Sequence, residues 1–336
     1  MASISDVARA ADVSSSTVSY VLSGKRPISK ETAERVHRAI RELQYRPHAG
    51  ARALARARTN VIALVVPIRA DQNVPVVMEF VLAVVTRARA FDYDVLLLTQ
   101  DEGVAGLHRV AASSLADAFI VMDVQADDPR ISVLRRVDQA AVLIGLPDRP
   151  TGLSCVDLDF AAAGALAVEH LADLGHHLIG LVGQPAAVYQ RNTSYAPRLL
   201  SGLRDAAEHR QVDVAVVSCE STFDGLRACV GEILTKQPET TALVVHNEAV
   251  LPALVAVLHE QGRRIPHDMS VVAVCPDDMA ATHAVAFTNI AIPAEEVGAI
   301  AVDMVVRRLA TSSPTETRLL SPVLSVRAST AISPTN

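Results

Sequence analysis

From residue 61 onward the chain alternates short apolar runs with amphipathic stretches, and this alternation restricts its fold more than any other feature. The strand-like runs are Val61–Val66, Val95–Leu98, Ala118–Met122, Ala141–Ile144, Leu178–Val182, Val214–Val217, Ala242–Val245 and Val271–Val274. Helical stretches lie between most of them, among them Pro75–Ala90, Ala161–Leu174, Arg198–His209, Thr222–Thr235 and Ala249–Gln261. A strand that is apolar throughout must be covered on both faces, and helical crossovers supply the cover, so parallel sheets in an α/β fold are expected. At least eight such strands favour two doubly wound lobes with a cleft between them.

The first sixty residues have a different texture. They carry eleven Lys and Arg against five Asp and Glu, a net +6, which leaves −12 for the rest of a chain whose total is −6. A basic module on an acidic body points to a polyanionic partner at the N-terminal end alone. Ser3 followed by Asp6 reads as a helix start, with Val7, Ala8 and Ala11 on one apolar face. Asp12, which tolerates positive φ, ends that helix, and Ser14 caps the next. The second helix turns Val18, Val21 and Leu22 one way and Ser15, Ser16, Thr17, Ser19 and Tyr20 the other, and Gly24 closes it. A third runs from Ser29 to about Gln44, burying Ala33, Val36, Ile40 and Leu43 while Arg35, Arg38 and Arg41 stay out. Two short helices across a tight turn, the second exposing small hydroxyls, fit a helix-turn-helix whose side chains reach phosphates and base edges.

Pro47 breaks the chain. Ala49–Arg56 is helix-prone but too short to be stable alone. Leu54 is either a linker side chain docked on a neighbouring domain or the wedge of a hinge helix that orders on DNA and enters the minor groove.

Ile4-Ser5-Asp6-Val7-Ala8-Arg9-Ala10-Ala11-Asp12-Val13-Ser14, Thr17-Val18-Ser19, Leu43-Gln44-Tyr45-Arg46-Pro47 and Ala51-Arg52-Ala53-Leu54 together resemble the headpiece of the LacI/GalR family of repressors. The resemblance implies that Ser15, Ser16 and Tyr20 face base edges and that Ser14, Thr17 and Ser19 contact or support the backbone. It places Ser5 and Ala53 in the DNA-facing set and makes Leu54 the intercalating side chain. It continues to about residue 310 as a periplasmic-binding-protein-like sensor, through Ala167–Leu171, Leu174–Ile179, His246-Asn247-Glu248 and Ile265–Val272. Such folds cross between lobes three times, here expected near residues 157–163, 288–294 and 317–323, with a late helix, Ala294–Leu309, returning to the first lobe.

The implied effector set is Asp71, Gln72, Arg191, Arg198, Asn247 and Cys275. Arg198 matches a ligand-clamping arginine, since a guanidinium offers a fixed donor fork. Cys275, however, stands where the family has an aspartate, with Asp277 and Asp278 just beyond. The first-strand loop lacks the family's frequent aromatic, and Phe160, Tyr189 and Tyr195 are the nearest candidates for stacking on a ligand. The expected organisation is a helix-turn-helix domain over 1–47, a hinge over 48–60 and a two-lobed effector-binding and dimerisation domain over 61–336.

Other chemistry finds no support. Phosphate-loop, nucleophile-elbow and zinc-helix patterns are absent, so neither an enzyme nor a cofactor is expected. Cys155, Cys219, Cys229 and Cys275 lack metal-ligand spacing and read as buried thiols of a cytoplasmic protein. His176-His177 reads as a loop pair or a satisfied core histidine. The tail after Leu309 has no heptads, which argues against a tetramerising coiled coil. The function expected is a homodimeric regulator, a repressor, binding a palindromic double-stranded operator under control of a small metabolite, a sugar or related compound. The alternative is a degenerate cleft that answers to a protein partner or to no ligand.

Overall fold

The computed structural model describes residues 2–23, 26–45, 58–69, 71–149, 152–311 and 313–334. Its strands, in chain order, are β1 (Val61–Val65), β2 (Asp94–Leu98), β3 (Ala118–Val121), β4 (Ala140–Ile144), β5 (Ser154–Leu158), β6 (Leu178–Gly183), β7 (Asp213–Ser218), β8 (Ala242–Val245), β9 (Ser270–Cys275), β10 (Thr288–Ala291), β11 (Thr317–Leu320) and β12 (Leu324–Ser325). They form two sheets ordered β11-β5-β4-β3-β1-β2 and β12-β10-β9-β8-β6-β7. Every pairing is parallel except β10 with β12, which is antiparallel.

Each sheet is covered on both faces, as the apolar runs require. In β3, Ala118 and Ile120 join one core while Phe119 and Val121 join the opposite one. In β8, Leu243 and Val245 face one way and Ala242 and Val244 the other. This two-residue alternation of side chains makes each strand a divider between two cores. Full burial of one such Leu, Val or Phe is worth about 1.5–3 kcal/mol.

The lobes share the chain. After β5 it enters the helix Phe160–Asp173, which packs on the second sheet. After β10 it returns as the helix Ala294–Ala310 in the core of the first lobe. β11 then completes the first sheet and β12 the second. The crossings therefore fall where expected, the last running on to Leu324. β5, β10, β11 and β12 were not among the expected strands; β5 and β11 carry Asp157 and Thr317-Arg318 within the run, which breaks the apolar pattern.

The second lobe packs the helices Phe160–Asp173 and Tyr195–Arg210 almost backbone to backbone. A Cβ on Gly202 would lie 1.9 Å from the Ala161 carbonyl oxygen, and one on Gly164 would lie 2.2 Å from that of Leu199. Only glycine fits at either contact. The chain end is tied to the same lobe. Ser329 Oγ donates to the Val271 carbonyl at 2.6 Å and accepts from the Thr288 amide at 2.7 Å, while the Ser333 amide donates to Leu174 at 2.8 Å. His176 is a satisfied core histidine, its ring nitrogens 2.8 Å from Thr241 Oγ1 and 3.0 Å from the Ala331 carbonyl. The four cysteines are buried, and none forms a disulfide among the described residues.

At the N-terminus three helices, Ile4–Ala10, Ser15–Ser23 and Lys30–Glu42, build a small core around Val7, Ala11, Val18, Val36 and Ala39. Ser3 and Asp6 form a reciprocal capping box, Asp12 takes φ 52°, and Ser29 caps the third helix. Leu43 corrects the expected stripe: it is 37% exposed, because the helix stops at Glu42 and Gln44 turns left-handed at φ 47°. Ala39 takes the buried place instead.

Candidate functional site

Two surfaces carry the candidate residues. On the headpiece, Val18 is fully buried and fixes the second helix, whose N-terminal turn is thereby held outward. Ser14 Oγ accepts the Thr17 amide at 3.1 Å and lies 2.8 Å from Ser16 Oγ and 2.9 Å from Thr17 Oγ1. The cap and the outward hydroxyls are thus one network. Ser5, Ser14, Ser15 and Ser16 are exposed; Thr17, Ser19 and Tyr20 are half-buried. The Arg26 guanidinium lies 5.3 Å from the centroid of the Tyr20 ring. Hydroxyls at the positive end of a helix, flanked by cations, can accept from bases, donate to phosphates, and let the backbone approach closely. Ala53 and Leu54 lie outside the described residues.

The second surface is the cleft between the sheets. Backbone bonds bridge the two lobes beside it, from the Ala126 amide to the Asn192 carbonyl and from the Ser194 amide to the Val124 carbonyl, both at 2.9 Å. An ion pair between Arg191 and Asp71, 2.6 Å apart, crosses between the lobes beside them. Behind this latch is a cavity of about 140 Å³. The first lobe supplies Val66, Gln72, Asn73, Val77, Phe80, Met122, Asp123 and Ile144; the second supplies Phe160, Gln184, Ser194, Tyr195, His246 and Glu248.

Three rings cluster on the second-lobe side. Tyr195 lies 5.4 Å from Phe160 and stands edge-on to His246 at 5.6 Å. Burial moves the nearby protons strongly. It holds His246 neutral down to about 3, lifts Tyr195 well above its usual range, and pushes Glu248 up to about 7. Asp157 rises to about 6, burial outweighing the Arg198 guanidinium 2.6 Å away. His246 Nδ1 is buried without a hydrogen-bond partner.

The six implied effector residues are not brought together. Gln72 lines the cavity, and its side-chain oxygen accepts from the Arg69 amide at 3.1 Å. Asp71 and Arg191 form the latch. Arg198 stands one layer back, bonding Asp157 and the Leu158 carbonyl. The Asn247 amide donates to the Cys219 carbonyl at 2.7 Å, and neither Asn247 nor Cys275 lines the cavity. The Cys275 thiol is fully buried at the end of β9, which pushes its pKa up to about 12. Sequence reasoning missed Asp123, Asp157, Gln184 and His246 as lining residues, since they end separate elements and share no local motif. Phe160 and Tyr195, the suggested aromatic neighbours, do face the cavity, and Tyr189 is not among its lining residues.

Comparison with known proteins follows this division. The description "Bacterial regulatory proteins, lacI family" matches residues 3–48, and "Periplasmic binding protein-like domain" matches residues 168–330. The HTH-type transcriptional regulator CelR of Thermobifida fusca is 30% identical over 331 residues, spanning 94% of each chain. The chain belongs to the LacI family.

Among LacI-family structures, a CelR–cellobiose complex is 26% identical with TM-score 0.71, over 98% of this chain and 100% of the other. A lac repressor dimer bound to operator and the anti-inducer ONPF superposes with TM-score 0.84 at 23% identity, over 98% of this chain and 99% of that one, a likeness of fold. Among the described residues no helix is long and apolar enough to cross a membrane.

Proposed function

We propose that this LacI-family chain is a sequence-specific transcriptional repressor that binds a palindromic operator as a homodimer and releases or grips it according to a small molecule held between the lobes. The observation that carries the reading is the capped, outward-facing hydroxyl network of Ser14, Ser16 and Thr17 on a basic headpiece. Ser5, Ser15, Ser19 and Tyr20 extend it, and Ala53 and Leu54 would complete it from a hinge over residues 48–60, between a headpiece over 1–47 and a body over 61–336.

Dimerisation is supported by the helix Val74–Arg89, which exposes Val74, Met78, Leu82 and Val85 along one side, Leu82 at 67%. An apolar stripe at helical spacing is expected to be covered by a second copy. Two headpieces then double the phosphate contacts and read both half-sites. CelR, the relative of known complex, is seen with cellobiose. By analogy the interlobe cavity is the effector site. Ligand that prefers one closure of the lobes shifts operator affinity through that preference, by tenfold for about 1.4 kcal/mol of coupling.

Selection from randomised duplex oligonucleotides at moderate salt tests the reading. A single enriched palindrome is expected, with Ser16→Ala and Tyr20→Ala each changing the preferred bases. Recovery of unselected sequence would refute it.

A further inference from the structure

The cavity differs chemically from a generic polyol site, and this difference identifies a class of effector. The inference rests on the reading of the cavity as the effector site. Three acids line it: Asp123, Asp157 and Glu248. Asp123 is paired with Arg69, and Asp157 with Arg198 at 2.6 Å. Arg191, the other arginine at the cleft, is held by Asp71. Glu248 makes no ion pair among the described residues. Its neighbours are amides: Gln184 Nε2 stands 3.5 Å away, and Asn73 also bonds it. One carboxyl therefore faces the cavity without a counter-ion, and a bound cation would hold it ionised.

The rings make the second, independent observation. The chain has eleven Phe and Tyr and no Trp. Three of the eleven, Phe80, Phe160 and Tyr195, line this one cavity, from both lobes. Aromatic rings lining the same cavity as a carboxyl without a counter-ion favour an organic cation. The first-lobe wall sets Val66, Val77, Met122 and Ile144, which suit an apolar body, beside Gln72, Asn73 and Asp123. A sugar would bring no counter-ion to Glu248 and would set hydroxyls against those four apolar side chains. The volume of about 140 Å³ matches one six-membered ring, since a cavity of about 150 Å³ accepts benzene.

We propose that the effector is a compact organic monocation: an amine whose ammonium meets Glu248 among the rings and whose apolar body, about one six-membered ring in size, fills the Val–Met–Ile wall. Binding is noncovalent and needs no further reactant.

Titration calorimetry of the full chain with cyclohexylamine, cyclohexanol, cyclohexanecarboxylate and glucose tests this directly. Cyclohexylammonium is expected to bind at least tenfold more tightly than cyclohexanol, and the carboxylate not at all. Glu248→Gln is expected to weaken the amine at least tenfold and leave the alcohol unchanged. Phe80→Leu, which keeps the apolar wall but removes a ring, is expected to weaken the amine severalfold and not the alcohol. Equal affinity for amine and alcohol, glucose binding more tightly than the amine, or an amine affinity indifferent to both substitutions would overturn the proposal. So would silence from all four compounds. Operator selection, run without any of them, reports separately on the regulator reading: glucose binding that alters operator affinity would preserve that reading while sinking this one.

Discussion

The headpiece and the interlobe cavity solve the problem of presenting polar groups in opposite ways. In the headpiece the working hydroxyls fall within six consecutive residues, Ser14–Ser19, and are ordered by their own cap. In the cavity the polar groups come from positions as far apart as Gln72 and Glu248, each at the end of a different element. A local site is exposed to solvent. A site assembled from afar is enclosed, and enclosure moves the protons of Glu248, Asp157 and His246. The two can therefore be damaged independently, and that independence is open to measurement.

The sharpest test is Val18→Asp. Val18 is fully buried in the small headpiece core, and an unpaired carboxylate there costs more than so few contacts can offset. Operator affinity in gel shifts is expected to drop at least a hundredfold while the main calorimetric transition stays in place. A shift of that transition would show that the two regions fold as one.

Gly202→Ala strikes the other side. A Cβ there would meet the Ala161 backbone at 1.9 Å, so the helix pair must separate. Overpacking against backbone is expected to cost about 3 kcal/mol in urea unfolding of the body. Headpiece binding to nonspecific duplex should be unchanged.

Glu248→Gln sharpens the electrostatic half of the comparison. The folded protein holds this carboxyl at about 7, above its ordinary 4.5. A raised carboxyl keeps its full contribution to stability below about 4.5 and loses it as the pH climbs through 7. The glutamine variant does not titrate, so it should gain on the parent between pH 5 and pH 8 by about 2 kcal/mol. The groups around Glu248 do not confuse the result: Asn73 and Gln184 are neutral, Tyr195 and Cys275 are raised, and His246 stays neutral to about 3. Asp157 titrates in both proteins alike. A difference flat in pH would count against enclosure as the cause.

The smallest effect is expected at the latch. Asp71→Asn breaks a half-buried pair with Arg191 that bridges the lobes, worth about 1 kcal/mol. Small-angle scattering should record a slightly wider cleft, and operator preference should not move.

The same contrast explains what could be read from the chain before its structure. The caps at Ser3, Ser14 and Ser29, the left-handed Asp12 and the buried Val7 and Val18 are set by neighbours within four residues, and all were legible. So were the strands with unbroken apolar runs, whereas the three crossings came from the family likeness. β5 and β11 were not, because Asp157 and Arg318 sit inside them; Asp157 is stabilised there by Arg198, forty-one positions away. Leu43 was misread because a periodic pattern does not announce the residue at which its helix stops. The cavity was hardest. Family likeness pointed to Asn247 and Cys275, but Asn247 is engaged by Cys219 and Ser221, and Cys275 is sealed in the core. Its neighbour Glu248 turns inward instead, a difference of one position that only backbone geometry decides.

The shared chain has a consequence for synthesis. β11 and β12, the last strands described, complete one sheet each. A polypeptide emerging from the ribosome N-terminus first therefore leaves both lobes one strand short until residues 317–325 are released, at about 5–20 residues per second. The headpiece, made of residues close in sequence, has no such wait. For that interval the nascent molecule owns a finished reading head and an unfinished sensor.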